Sequence, residues 1–244
     1  MINLQELTKD YGTVVAVNKL NLSVSAGEIY GFIGPNGAGK TTTIRMMGGI
    51  LAPTSGKIII GGLDMAQKPA EAKKLIGFIP DRPFLYEKLT GMEFLQFSAD
   101  LYNVKRDTFL EKAQKLLQQF DLLDWADELV EAYSHGMKQR LIIASALLHD
   151  PQILIIDEPM VGLDPSAVRL VKDILKELAA HQTTVFISTH TLSIAEDLCH
   201  RIGLIHKGTL SAQGTLDELK HIANLGEAGL EEVFLTIIKE NTFI

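Results

Sequence analysis

Eight consecutive residues, Gly34-Pro35-Asn36-Gly37-Ala38-Gly39-Lys40-Thr41, have the types and spacing to do chemistry together. They fit G-x-x-x-x-G-K-[ST], the pattern of a loop that wraps nucleotide phosphates. Glycines let the backbone turn tightly and bring successive N–H groups close to one anion. A helix opening at Lys40, with Thr41 and Thr42 in its first turn, aims its positive dipole end at the same anion. The pattern gives the Lys40 ammonium the terminal phosphates and the Thr41 hydroxyl a place on Mg²⁺. Ile29-Tyr30-Gly31-Phe32-Ile33 before the loop reads as a short buried strand, and the run from Thr42 to Met47 as helix. That strand–loop–helix context is the one the motif requires.

Three more residues stand at predicted strand ends. Ile153-Leu154-Ile155-Ile156 is a continuous apolar run, typical of a strand buried on both faces, and it delivers Asp157 and Glu158. Ligands of open α/β sheets bind at that carboxyl end. Adjacent acids there are costly unless something positive or polar meets them. Asp157 is placed to hold the water shell of Mg²⁺, and Glu158 to orient and partly deprotonate an attacking water. Two acids at a strand end also suit the cap of a following helix. His190, in Ser188-Thr189-His190, ends a second apolar strand on the same edge and is read as a γ-phosphate contact, although a lone histidine is often structural. Tyr11-Gly12 lies between the first two strands, where an aromatic equally stacks on adenine or caps a sheet edge.

The elements that must position these groups follow from pattern. Ile2-Asn3-Leu4 and Leu20 to Val24 alternate as strands, and Ser25 to Glu28 turns into the phosphate-loop strand. Pro53 to Gly56 reads as a turn, Lys57 to Gly62 as a strand with a glycine end, and Leu75 to Ile79 as a strand closed by Pro80. From Asp81 to about Val130 the periodicity is helical. Thr90-Gly91-Met92-Glu93 is a capping box, and Phe109, Ala113, Leu116, Leu117 and Phe120 share one helical face. This stretch predicts a helical lobe inserted into the core, packed by Phe94, Phe97 and Trp125. A helix from Gly136 through Leu148 follows, then the 153–156 strand and a helix from Ser166 to Ala180. A strand over Thr184 to Ser188 and a helix over Ile194 to Cys199 come next. Two short strands then flank a hairpin turn at His206-Lys207-Gly208, and an amphipathic helix around Val233, Phe234, Ile237 and Ile238 ends the chain.

The expected fold class is α/β: a phosphate-loop nucleotide hydrolase core of mostly parallel sheet, with an N-terminal antiparallel β region and an inserted helical lobe. One domain is expected over 1–244. Its core is 1–80 with 149–215, its helical lobe 81–148, and its short helical tail 216–244.

Bulk composition narrows the class further. Of 244 residues, 46% are hydrophobic and 22% charged, as in an ordinary soluble globular protein. A net charge of −7 offers no global basic surface, so no nucleic acid partner is expected, with local basic patches left open. Cys199 is the one cysteine, which excludes an intramolecular disulfide; beside Leu198 it is expected as a small apolar filler rather than a reactive thiol. Met1 to Lys9 lacks a secretion signal, and the longest apolar run, Leu141 to Leu148, is too short to span a bilayer. A cytoplasmic protein is expected, with any membrane role exercised through another polypeptide. No Asn-Lys-x-Asp base reader follows the phosphate loop, which disfavours a guanine-nucleotide switch.

With these motifs in this order, the chain resembles the nucleotide-binding subunit of ATP-binding-cassette transporters, of bacterial exporter type, over essentially its whole length. Tyr133-Ser134-His135-Gly136-Met137-Lys138-Gln139-Arg140 is similar to the family's signature stretch, usually Leu-Ser-Gly-Gly-Gln, and Gly162-Leu163-Asp164 to the loop after its catalytic glutamate. Asp157-Glu158, His190 and Tyr11 match its acidic strand end, switch histidine and adenine-stacking aromatic. Ser134 and Gly136 are kept, whereas Tyr133, His135 and Met137 depart from the signature, so that a His135 side chain stands beside a phosphate position. Asp81 stands where the family carries the glutamine that joins the two lobes, and Val161 where a hydroxyl is frequent.

The resemblance implies ATP and Mg²⁺ as cofactors. Lys40, Glu158 and His190 are then the catalytic residues, and Thr41, Asp157 and Asp81 the metal-facing ones. It implies a head-to-tail pair with a second copy or a homologous cassette, in which Ser134 and Gly136 complete the opposite ATP pocket. It also implies an integral membrane permease subunit as partner, holding the chain peripherally on the inner face of the cell membrane. Pro80 to Pro83 with Phe84, Leu85, Tyr86 and Leu89 is the expected docking surface, though simple lobe packing suits those side chains nearly as well. The competing reading is a soluble cassette acting on a non-membrane partner. Such relatives usually carry two cassettes or a long coiled coil, and this chain has one cassette with ordinary helices.

Overall fold

The computed structural model describes residues 1–81 and 84–240. Alternating burial extends the chain start into a long antiparallel pair, β1 (Ile2–Asp10) with β2 (Val15–Val24). The buried run Ile29–Ile33 is β3, and the phosphate-loop stretch leads from it into α1 (Lys40–Met47). β4 (Ser55–Ile60), β5 (Leu63–Asp64), α2 (Pro69–Lys74) and β6 (Ile76–Ile79) follow. Next come α3 (Gly91–Leu101), α4 (Arg106–Gln119), single 3₁₀ turns at Leu123–Trp125 and Val130–Ala132, and α5 (His135–Leu147). β7 (Ile153–Asp157), α6 (Pro165–Ala180), β8 (Thr184–Thr189) and α7 (Leu192–Leu198) return to the core. The hairpin β9 (Arg201–His206) and β10 (Thr209–Gly214) precedes α8 (Leu216–Ile222) and α9 (Leu230–Glu240).

Two sheets result. β2-β1-β4-β5 is antiparallel throughout, and β10-β9-β3-β8-β7-β6 is parallel except at its β10 edge. α1 lies between them, in an apolar cluster joining Leu4, Leu20 and Ile58 of the first sheet to Phe32, Ile155 and Phe186 of the second. The side chains that alternate to the other face of β7 and β8, Leu154, Ile156, Val185 and Ile187, pack with Leu95, Phe109, Leu117, Leu141 and Ile143 of the helices α3 to α5. Because β7 is covered on both faces, each of its residues is apolar until the chain reaches Asp157. A third cluster seats α8 and α9 against α7 and β9 through Ala195, Leu204, Leu219, Leu230 and Val233.

Register brings the predicted chemistry to one edge. Ile33 of β3 pairs with Thr189 of β8, and Asp157 of β7 with Ser188. The carboxyl ends of β3, β8 and β7 therefore finish side by side. α6 starts sharply after this edge because the Asp164 carboxylate accepts from the Ser166 and Ala167 amides, both at 2.9 Å, ahead of Pro165 at the first helical position.

Several expectations need correction. Helix does not begin at Asp81: residues 84–90 are turn and extended chain, and α3 starts after the Thr90–Glu93 capping box. Ser55 and Gly56 belong to β4 rather than to a turn, because the extended β1 pairs its Thr8 with Ser55 and its Gln5 with Lys57, with Gly56 inside the register shift between them. β5, α2 and α8 carry no strong periodicity and were not expected as separate elements. Phe94 is buried as predicted, but Phe97 and Trp125 are 38% and 41% exposed. Phe97 faces Tyr86 edge-on and Trp125 faces Tyr133, so both lie at the lobe surface rather than in its core. The Cys199 thiol is a filler against Gly31, and burial pushes it up to about 12, which leaves it without thiolate reactivity.

Candidate functional site

The phosphate-loop residues adopt the backbone their types allow. Gly37 and Gly39 have φ of 79° and 106°, in the left-handed region that glycine enters without strain. At Gly39 a side chain is also excluded by space, since a Cβ would stand 2.4 Å from the Ala16 carbonyl oxygen of β2. The loop is thereby pressed onto the antiparallel sheet, and α1 begins with no carbonyl one turn earlier for the amides of Lys40, Thr41 and Thr42. Those amides and the helix dipole converge on a cavity of about 400 Å³. Its walls are Ala16, Asn36, Gly37, Gly39, Lys40, Thr41, Thr42, Asp81, Asp157, Glu158, Val161 and His190.

Lys40 is buried and folds back over its own loop, donating to the Gly34 carbonyl at 2.6 Å and the Pro35 carbonyl at 3.2 Å. Burial pulls its ammonium below the ordinary lysine range, opposed by the nearby Glu158 and Asp157 charges. Asp157 is 3% exposed, and its Oδ2 accepts from the Thr41 hydroxyl at 3.0 Å. Burial pushes its carboxyl above the ordinary carboxylate range, and the charges of Glu158 and Asp81 act in the same direction. The folded chain thus binds that proton more tightly than the unfolded chain, and stability falls as pH rises from the ordinary carboxylate value through the raised one. The isosteric Asp157→Asn is expected to melt higher than the parent, with a gap that widens from acidic to neutral buffer. Each kcal/mol relieved is worth about 2–4 °C at this chain length. Melting curves at the two pH values check it; a gap independent of pH would mean that Asp157 carries no desolvation cost.

Glu158 is held with unusual care. Its backbone sits at φ 54°, a conformation that costs a non-glycine residue roughly 1 kcal/mol or more. Its amide donates to the Ser188 carbonyl at 2.8 Å, which carries the β7–β8 pairing one residue past the strand. Oε2 accepts from the Thr189 hydroxyl at 3.0 Å, and Oε1 accepts from the His190 amide at 3.0 Å and meets the His190 ring Nδ1 at 2.7 Å. With Nδ1 against Glu158, the other ring nitrogen, Nε2, is left for other partners. His190 also lines the cavity. The arrangement sets one carboxylate, oriented by three donors, beside a buried cation and a hydroxyl–carboxylate pair.

Not every predicted residue joins this cavity. Gly34, Pro35 and Ala38 form the back of the loop, where two carbonyls hold Lys40 and the Ala38 carbonyl accepts from Gly208 at 2.9 Å. Tyr11 is 55% exposed in the β1–β2 turn and does not line the cavity; the Lys9 ammonium stands 5.3 Å from its ring centroid. Ser134 and Gly136 also lie outside it. Ser134 caps α5, its hydroxyl accepting from the Met137 amide at 3.3 Å, and a Cβ at Gly136 would meet Leu163 Cδ2 at 3.7 Å. Ala16 and the Thr189 hydroxyl were missed from sequence, because only strand register brings them to the edge. Volume does not identify the site either. A cleft of about 1040 Å³ beside Lys112, Gln152 and His181 contains none of these groups.

A parallel-sheet core with this loop, paired acids and histidine on one edge defines a nucleotide-hydrolysing cassette. The family described as ABC transporter matches residues 17–161, and the chain belongs to that family as an ATP-binding, ATP-hydrolysing transporter subunit. It is 42% identical over 221 residues to the bacitracin transport ATP-binding protein BcrA of Bacillus licheniformis, covering 90% of this chain and 71% of that protein. A solved structure of an ATP binding subunit of an ABC transporter superposes with a TM-score of 0.92 at 33% identity, over 98% of this chain and 99% of that one. A dimeric post-hydrolysis state of the cassette MJ0796 bound to ADP and Pi gives 0.78 at 26% identity, over 88% and 99%.

Proposed function

We propose that the chain hydrolyses Mg-ATP in a head-to-tail pair and passes the resulting movement to a membrane permease. The observation that carries this reading is the split of the binding groups. Lys40, Thr41, Asp157, Glu158 and His190 surround one cavity, whereas the capped start of α5 at Ser134 and Gly136, with the anion-binding end of its dipole, lies apart from it. A second copy, or a homologous cassette, brings that helix start to the γ-phosphate across the interface. Charge-assisted bonds to both chains then make ATP the bridge, and hydrolysis removes it.

Within one cavity, the loop amides and Lys40 hold the phosphates. Glu158, fixed by Thr189 and His190, takes the proton of the attacking water. The donor set suits Mg²⁺: Thr41 with Asp157 offers the hard oxygens that Mg²⁺ accepts beside phosphate. Mg²⁺ neutralises developing phosphate charge when bound. Asp81, on the cavity wall, faces the same position. The exposed ring of Tyr11 is suited to stacking on adenine.

The single domain divides as core 1–80 and 149–215, helical lobe 81–148 and tail 216–244. The permease docks on the lobe side, in a cavity of about 860 Å³ lined by Phe84, Leu85, Tyr86, Leu89 and Phe97. Phe84 is 79% exposed, and its ring meets Tyr86 edge-on, which leaves an aromatic surface ready to bury an apolar helix. Pro83, part of the expected surface, lies outside the described residues. No helix among the described residues is long and apolar enough to cross a membrane. In this reading the permease holds the chain at the inner face of the membrane. With Mg-ATP, the hydrolysis-slowed Glu158→Gln chain is expected to elute as a dimer in size-exclusion chromatography. A monomer at saturating nucleotide would end the sandwich reading.

A further inference from the structure

One side chain touches both the docking cavity and the loop that follows Glu158. His135 is the first residue of α5 and lines the cavity formed with Phe84, Leu85, Tyr86 and Leu89. Its ring also fills the space above Gly162, where a Cβ would stand 2.3 Å from His135 Cδ2 and 2.5 Å from Nε2. Gly162 is in the left-handed region at φ 77° and lies four residues beyond Glu158, in the segment that ends at the Asp164 cap of α6. At the next residue of α5, Gly136, an added Cβ would stand 3.7 Å from Leu163 Cδ2 and 3.9 Å from the Gly162 carbonyl oxygen, so the start of the helix lies close over the same segment. A ring at 135 and a bare backbone at 162 therefore interlock.

Both lysines on the cavity wall are paired within the chain. Lys138 pairs with Glu87 at 2.6 Å, and Lys88 with Glu131 at 2.6 Å. The His135 ring is exposed and makes no hydrogen bond among the described residues, so its nitrogens are open to a polar group of whatever enters the cavity. A segment seated there meets the ring on one side while Gly162 meets it on the other. Packed groups of this kind transmit small displacements, because interiors have little slack to absorb them.

We propose that His135 is a positioning residue that links the docking cavity to the hydrolytic loop, so that a helix of the membrane partner acts on Glu158 through His135 and Gly162. The inference rests on the docking reading above and adds a second contact to it, one that a glycine at position 135 would lack.

The link is tested in two arms. In the free full-length chain, Gly162→Ala is expected to lower turnover about tenfold, and by much less in a His135→Gly background, where the added methyl meets no ring. Strain from φ at 162 is common to both backgrounds and cancels in this cycle. Equal losses in the two backgrounds would overturn the interlock. In the second arm, the complex copurified from solubilised membranes on the tagged chain is compared with the free chain. The ratio of their turnover numbers is expected to drop about tenfold in His135→Gly, within the range of ordinary coupling energies, and to recover in His135→Gln, which restores bulk and a polar tip. A parent ratio of one would sink the docking reading and this inference with it. A parent ratio above one that His135→Gly leaves unchanged would overturn the inference alone.

Discussion

The Glu158→Gln enzyme is expected to retain ATP while its turnover number falls by roughly 10²–10⁴, the usual worth of a general base. The geometry makes this substitution unusually clean. The Gln carbonyl oxygen can replace Oε1 and keep accepting from the His190 amide and ring, both within 3.0 Å of it in the parent. The Gln amino group then faces the Thr189 hydroxyl, which has a lone pair to spare after accepting from the Thr191 amide at 3.0 Å. The side chain thus stays where it was, and only its basicity is lost. Lys40 loses one of the two negative neighbours that support its charge, but the Gly34 and Pro35 carbonyls remain. Steady-state hydrolysis measured beside nucleotide affinity checks the expectation. An unchanged turnover number would remove Glu158 from the role, whereas a joint loss of affinity would mean that the substitution had disturbed the phosphate loop.

Local spacing announced some of this and left the rest hidden, for physical reasons. The phosphate loop was legible because strand, glycine turn and helix are consecutive, so backbone conformation and chemistry are written in one stretch from Ile29 to Met47. The all-apolar β7 was legible for a similar reason, since a strand buried on both faces tolerates no polar residue until it ends at Asp157. Register was not. Pairing of Asp157 with Ser188 and of Ile33 with Thr189 joins residues far apart in the chain, and the Thr189 hydroxyl on Glu158 depends on it. The register shifts along β1 similarly hid its length, because they interrupt strict alternation after Leu4. Phe97 and Trp125 fitted a helical lobe by type. Only the packing of that lobe shows that their rings lie at its surface, where Phe97 joins Tyr86 at the docking cavity. Ser134 lies outside the cavity of its own chain, and the family resemblance assigns it to the pocket of an opposite subunit.

Lys40→Ala is expected to cost ATP affinity on the order of 10²–10⁴-fold, because two charge-assisted phosphate contacts at about 1.5–3 kcal/mol each are lost together. The loss should exceed that of any one loop amide, since Lys40 is the side-chain cation on the cavity wall, with Asp81, Asp157 and Glu158 the acids around it. Without the ammonium, those acids face the phosphates with no lysine between them, and repulsion adds to the missing attraction. The fold itself should survive. Burial already holds the Lys40 ammonium below its ordinary range, so removing it relieves a desolvation cost while leaving the Gly34 and Pro35 carbonyls a donor short. These opposing effects predict a melting temperature within a few degrees of the parent, about the span of 1 kcal/mol at this size. Titration with a non-hydrolysable ATP analogue, beside a thermal melt of the same sample, separates the two quantities. Full affinity in a folded Lys40→Ala chain would mean that the triphosphate binds elsewhere, and the roles of Thr41, Asp157 and Glu158 would go with it.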